Sequence, residues 1–596
     1  MKKRASYTRN DPIISIALTC YLEPDLFTDP NENTLWAYRA FRMLSLSIHL
    51  LDEADALSRL AATYREQGDN VRALEFAQNG ARTAKDAAAL SIAVYALTEV
   101  GKAQRALGRK NEALNAFVEA MQVQRSIRPE TGPDGLEAER SGVIPFLGAV
   151  ETLIDLDRPR EALFRAEEAK SQTLRELIQR GNFTVTKGMT VAQRQEELTL
   201  LGELISLKVQ IYGTQDSANA GQASTALRNR LQSARTAYEA FRKRLYTRQP
   251  QLAVNRGEFS ALNTQDLRSL VGNNTAIVEY VVTEDQVILF AITASARELE
   301  VKAYPLSASP AEITQKIAGI RQSNDNTVAT RELYDLLLKP AEIQIAQKTK
   351  LIIVPDGALW DVPFDALQPA SVSYAPSLSA LREMRRRRYR AQPSTLLVFA
   401  DPTLTKETLE RVQTTYTGLR LDETTKTSEI RTLQSRYGST QVRSYTGVQA
   451  KKERLKTEVS TAGTLHFATP AILDNAVPMY SFLALSPDPD LHDDGLLRLS
   501  EITNLNSKAR IVVLPYVFSP NSQSGNALIA LSWSWFVAGT PAVVLNRWSE
   551  NDAANPVSEL LRLKTGPDPE QFRQALLKFK KMQKPSQWAG YMFIGN

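Results

Sequence analysis

Small and apolar residues recur at helical spacing through residues 34–180, and almost no strand pattern interrupts them. Ala61, Tyr64, Gly68, Ala73, Ala77 and Gly80 stand at offsets 0, 3, 7, 12, 16 and 19. Gly101, Gln104, Gly108, Ala113, Phe117 and Ala120 repeat those offsets, and a looser copy runs through Val150, Leu153, Asp157, Ala162, Ala166 and Ala169. Each copy predicts a helical hairpin, because small residues admit close helix approach and a turn glycine accepts positive φ. On this pattern Tyr64 and Phe117 pack between helices, and Ala73 and Ala113 mark close approaches.

The hairpins resemble the tetratricopeptide repeat, whose unit is about 34 residues. Ala73 to Ala113 is 40 residues and Ala113 to Ala162 is 49, so the connections are longer, partly through the loop around Arg128–Gly135. The resemblance implies a concave surface for a protein or peptide partner. The alternative is a helical bundle that only braces the rest of the chain.

A different period follows. Leu200, Leu204, Leu207 and Ile211 are spaced 4-3-4, and Leu227, Leu231, Ala234, Tyr238, Phe241 and Leu245 continue the same alternation. Two short heptad seams around a Gly/Ser/Asn-rich tip predict an antiparallel coiled hairpin over residues 181–255, joined to the repeats by Phe183–Thr190. From residue 258 the pattern turns to strand. Runs at 276–282 and 287–293 read as a hairpin, with 298–305 as a third strand. After helices near 309–347, apolar runs at 350–356, 395–402, 464–469, 481–487, 510–517, 541–548 and 591–595 alternate with helical segments. That alternation predicts a mostly parallel sheet covered on both faces, with sites beyond the carboxyl ends of its strands. The chain is therefore expected to be multidomain: an N-terminal segment (1–33), helical repeats (34–180), the coiled hairpin (181–255) and an α/β domain (256–596).

Composition narrows the chemistry. The 596 residues carry 72 Lys+Arg against 66 Asp+Glu, a net +6 too small to mark a nucleic-acid binder. One cysteine, Cys20, excludes an intramolecular disulfide framework and a multi-thiolate metal site. Three histidines, His49, His466 and His492, make a histidine metal cage improbable, so neither metal nor cofactor is expected. Cys20 and His49 read as core residues. Ile13–Leu22 follows Lys2, Lys3 and Arg4, yet Asp11 and Pro12 interrupt it and no small-x-small cleavage site follows. The reading is a docked N-terminal segment of a soluble cytoplasmic protein with no membrane partner; the oligomeric state stays open. The run Arg385–Arg388 with Arg390 could grip phosphate beside Tyr389, but a basic last helical turn explains it and is preferred.

Residues 350–367 (KLIIVPDGALWDVPFDAL), 374–381 (YAPSLSAL), LVFADP, LHFAT, DGLLRLSEI and SWFVAGTPAVVLNRWSENDAA follow one another as in the CHAT family, which they resemble over roughly residues 250–596. These are caspase-like cysteine peptidase domains that typically follow tetratricopeptide repeats. The resemblance implies a caspase-like fold, with a histidine in HxATH taking the proton and a cysteine in LSAC attacking the scissile carbonyl. Here the first motif reads LHFATPA, with Pro470 at the histidine position, and the second reads VVLPYVF, with Val517 at the cysteine position. Neither side chain can do the chemistry. Both positions are expected at carboxyl ends of neighbouring strands, facing one crevice. Ser519 is a candidate substitute nucleophile with no evident base; His466 lies about 13 Å of strand before Pro470, too far to serve. His492 sits in an acidic loop (Asp488, Asp490, Asp493, Asp494) whose spacing does not fit a calcium site. The expectation is a catalytically inactive pseudo-peptidase that binds proteins as a scaffold or regulator. The alternatives are an active hydrolase using Ser519, and an adaptor whose C-terminal domain is purely structural.

Overall fold

A computed structural model describes residues 50–87, 89–126, 142–179, 184–214, 220–295, 298–322, 327–387, 395–415, 430–431, 433–435, 441–519, 525–548, 569–580 and 588–595. Cys20, His49, the Arg128–Gly135 loop and Arg388–Arg390 lie outside these residues. The described residues form two compact units: one holds those up to 169 with 204–227, the other 170–203 with 228 onward.

Six helices in the repeat region realise the small-residue pattern: α1 (Leu50–Glu66), α2 (Asn70–Asp86), α3 (Leu90–Ala106), α4 (Lys110–Ser126), α5 (Ile144–Asp155) and α6 (Pro159–Gln179). The offset-7 residue of each copy sits in the left-handed region, with φ 82° at Gly68, 77° at Gly108 and 54° at Asp157. The offset-3 residue then supplies the carbonyl that closes the turn. Asp69 N–H donates to Tyr64 O, Arg109 N–H to Gln104 O and Arg158 N–H to Leu153 O, each at 2.9 Å. Ala73 and Ala113 are sealed, at 1% and 0% exposure. Phe117 is fully buried against Gly101 and Gly148, where a Cβ at either would enter its ring. Tyr64 is only half-buried; it stacks on Phe76 with centroids 5.4 Å apart, so it closes the hairpin's flank rather than its interior.

Helices α7 (Val191–Thr214) and α8 (Ala220–Arg248) carry the heptad seams. Leu204, Leu207, Leu231, Ala234, Phe241 and Leu245 are buried. Glu196 pairs with Arg244, and Gln249 donates to Gln193 at 3.2 Å, which sets the two helices antiparallel at their base. The compact units divide inside α6, α7 and α8 rather than at residues 180 and 255. The reason is packing: Leu174 and Ile178 of α6, with Phe241 and Leu245 of α8, share one core cluster with Trp533 and Phe536.

Strand structure begins later than residue 258, because a helix α9 (Thr264–Leu270) intervenes, started by a reciprocal Asn263–Asp266 capping box. The strands are β1 (Thr275–Val282), β2 (Val287–Ala294), β3 (Leu299–Leu306), β4 (Lys350–Val354), β5 (Ser371–Tyr374), β6 (Leu396–Ala400), β7 (Val442–Thr446) and β8 (Thr464–Ala468). After these come β9 (Ala471–Ile472), β10 (Phe482–Ala484), β11 (Leu496–Arg498), β12 (Ile511–Leu514), β13 (Val517–Phe518), β14 (Ala542–Asn546) and β15 (Tyr591–Gly595). Eleven form one sheet in the order β3-β2-β1-β4-β5-β15-β14-β12-β8-β6-β7. From β1 through β7 the pairings are parallel except β14 with β15, and the β1–β2–β3 meander is antiparallel. The run at 481–487 does not join this sheet. Its strand β10 belongs to a second sheet, β11-β10-β9-β13, because the turns after β8 and β12 carry the chain off the main sheet's carboxyl edge. Two further helices matter below: α10 (Leu378–Arg386) and α11 (Asn526–Ala538), the latter buried on almost every side.

Candidate functional site

Strands β8 and β12 run side by side, with Val513 opposite His466. Each then leaves the main sheet and re-pairs in the small one, with Val517 opposite Ala471 and Phe518 opposite Ile472. The β8 side carries one residue more between the two pairings, so Pro470 stands one residue before the position opposite Val517. Ala471 N–H donates to Tyr516 O and Leu473 N–H to Phe518 O, both at 2.8 Å, while Pro470 O accepts from Ala484 N–H at 2.8 Å. Pro470 is partly open. The Val517 side chain, 2% exposed, turns into the core rather than toward an opening.

Beyond Val517 the Ser519 hydroxyl is partly exposed and accepts a hydrogen bond from Asn475 Nδ2 at 3.1 Å. Asn475 Oδ1 in turn accepts from Ala527 N–H at 2.9 Å, at the first turn of α11. An amide holds this serine, and an amide nitrogen has no basic lone pair to take its proton. His466 is fully buried in the middle of the sheet, flanked in register by Val398 and Val513. His492 is exposed and caps a tight turn at φ 51°.

The acidic loop around His492 already holds a cation of its own. Lys452, 5% exposed, places Nζ 2.7 Å from Asp493, 3.4 Å from Asp494, 3.2 Å from Glu501 and 3.2 Å from Leu496 O. Arg498 holds Asp494 below its usual range against the opposing effect of burial. Gly495 completes the turn at φ 75°, with Leu485 O where a Cβ would stand. The described arginines of the run, Arg385–Arg387, likewise bond to protein groups. Arg385 donates to Leu270 O at 2.8 Å, Arg386 to Asp266 at 2.9 Å, and Arg387 to Phe536 O.

A buried polar cluster that sequence reasoning missed lies at the same carboxyl edge. Arg547, just past β14, donates from Nη1 to Trp360 O at 2.7 Å and from Nη2 to the Tyr374 hydroxyl at 3.3 Å. Tyr374 is 3.2 Å from Asp365 Oδ2 and 3.4 Å from Val362 O, two acceptors for one proton. Burial pushes the Asp365 carboxyl up to about 7, against the pull of Arg547. The only sequence signal was that all three residues fall inside the motifs WDVPFDAL, YAPSLSAL and VVLNRW.

These motif-bearing loops, the sheet order and the paired exits of β8 and β12 coincide with a match to a known family model, the CHAT domain, over residues 327–596. Residues 327–596 are a CHAT domain. Its family is one of caspase-like peptidases. The sheet of this CHAT domain extends upstream of the match, since β1 pairs in parallel with β4. No curated protein matches the chain. Among the described residues, no helix is long and apolar enough to cross a membrane.

In the repeats, an open cleft of about 350 Å³ lies between α2, α3 and α4. Ala81, Leu97 and Val100 line its floor, with Arg82, Lys85 and Glu119 at its rim. The neighbouring helices are tied by ion pairs. Arg65 reaches Glu99 at 2.9 Å, and Arg105 reaches Glu151 at 2.6 Å and Asp155 at 2.7 Å.

Proposed function

We propose that this protein is a pseudo-peptidase: a CHAT domain without peptidase chemistry, whose helical repeats bind a protein or peptide partner in a cytoplasmic regulatory or scaffolding role. The observation that carries the reading is the β9–β13 pairing. It sets Val517 opposite Ala471, the residue after Pro470, and on the motif reading Val517 and Pro470 stand where the family carries its cysteine and histidine. Proline's nitrogen is tied up in a tertiary amide, and valine has no lone pair to attack a carbonyl. Among the described residues the group that holds the Ser519 hydroxyl is an amide, which argues against the hydrolase alternative. The cleft over Ala81, Leu97 and Val100 offers the repeats an apolar floor with a charged rim, the usual make-up of a peptide-binding surface.

The test is direct. The purified protein is incubated with serine- and cysteine-directed covalent probes and with a diverse peptide library. The expected result is no labelling of residues 327–596 and no cleavage. Sequence-specific proteolysis abolished by Ser519→Ala or His466→Ala would overturn the reading.

A further inference from the structure

The two ends of α11 are held by groups from distant parts of the chain. At its C-terminal end Lys187 donates from Nζ to Val537 O at 2.9 Å, to Ala538 O at 3.0 Å and to Leu505 O. Arg387 donates to Phe536 O and lies over the Phe536 ring, 5.1 Å from its centroid. Phe536 O, Val537 O and Ala538 O belong to the last turn of the helix, where positive charge is favoured, and Leu505 O lies on a separate segment beside it. Burial, with Arg387 nearby, lowers the Lys187 pKa to about 8, so the ammonium persists at neutral pH with all three donors in use. At the other end, Ala527 N–H is capped by Asn475 Oδ1, and the same amide holds the Ser519 hydroxyl.

We propose that Lys187 and Arg387 clamp the C-terminal end of α11, and that the segment following α6 thereby sets the helix and the Asn475–Ser519 pair at its far end. Three features make the clamp a transmitter rather than a local cap. The helix is 13 residues long, about 20 Å of rod at 1.5 Å per residue. Residues Ala530–Ala538 are buried without interruption, so the rod cannot bend locally without repacking a dense core. Lys187 lies on a short connection between α6 and α7, and Val185 and Met189 beside it belong to the same core cluster as Trp533, Phe536 and Val537. A shift of that connection therefore pulls on α11 through charge and packing together. The coupling is mechanical, and it does not depend on whether the CHAT domain carries out catalysis.

Hydrogen exchange on the full-length chain at pH 7 tests it, comparing wild type with Lys187→Met and Lys187→Arg. Lys187→Met keeps the apolar stem and removes every donor. Exchange should rise about tenfold both in the first turns of α11 (526–531) and in the Asn475 loop (471–477), and Lys187→Arg should largely restore it. Should Lys187→Met not fold, Lys187→Gln, which keeps N–H donors without the charge, should raise both segments about threefold. The proposal fails if exchange rises only at 184–190 and 535–540, if it rises equally in β2 and β4, or if it does not change.

Discussion

Asp365, Tyr374 and Arg547 show how much a single proton can decide at residue scale. The Tyr374 hydroxyl accepts from Phe364 N–H at 3.1 Å and has Asp365 and Val362 O as alternative acceptors. With Asp365 held up to about 7 in the folded chain and near 3.9 when unfolded, the fold binds the extra proton across that interval. Its contribution to stability is complete below about pH 4 and is lost as pH rises toward 7, at no more than about 1.4 kcal/mol per pH unit. Thermal melts from pH 5 to pH 8 should show this fall in the wild type and a flatter profile in Asp365→Asn. Identical profiles would refute the assignment. None of these three residues was legible as a cluster, because their 182-residue span closes only when β5 and β14 come into one sheet through β15. Pro470 and Val517 were read from the motifs as the residues at the family's histidine and cysteine positions. That Val517 points into the core was not, since strand parity alone does not say which face a two-residue strand buries.

At the scale of elements, the hairpin turns were the most readable feature. The offset pattern located three left-handed residues, including the non-glycine Asp157, because the αL position is a backbone demand that few residue types meet. Gly68→Ala or Gly108→Ala should each cost about 1–2 kcal/mol, whereas Asp157→Gly should be neutral or mildly stabilising. Chemical denaturation of the three variants measures this, and a silent Gly108→Ala would mean the turn does not need positive φ. Ala113→Leu should cost roughly 1–3 kcal/mol by overpacking a site with no exposure; a wild-type midpoint would refute that contact. Strands were less readable. β5 (SVSY) and β7 (VRSYT) carry too few apolar residues to show a strand run, yet both pair in the main sheet, β7 at its edge. In both cases neighbours supply the burial or the ladder that local sequence does not announce.

The unit that holds the CHAT domain is larger than the family match. Removing residues before 327 would strip β1 from β4 and leave Leu351, Ile352 and Ile353 on an open edge. It would also uncover Trp533 and Phe536, which pack against α6 and α8. A chain of residues 327–596 should therefore aggregate, while residues 170–596 should run as a folded species in size-exclusion chromatography; a soluble, cooperatively melting 327–596 would overturn this. The sequence by itself determined the order of helical, heptad and strand segments, because periodicity is a local property that burial on one face imprints directly. It also supplied the motif frame on which Pro470 and Val517 are read at the two family positions, an alignment of residue identities that needs no fold. Tertiary structure alone decided that the exits of β8 and β12 re-pair in a second sheet, that Lys187 and Arg387 meet on one helix end, and that a carboxyl, a phenol and a guanidinium share one buried site. Those are contacts between residues tens to hundreds of positions apart, and no local pattern encodes which distant partner will satisfy a buried polar group.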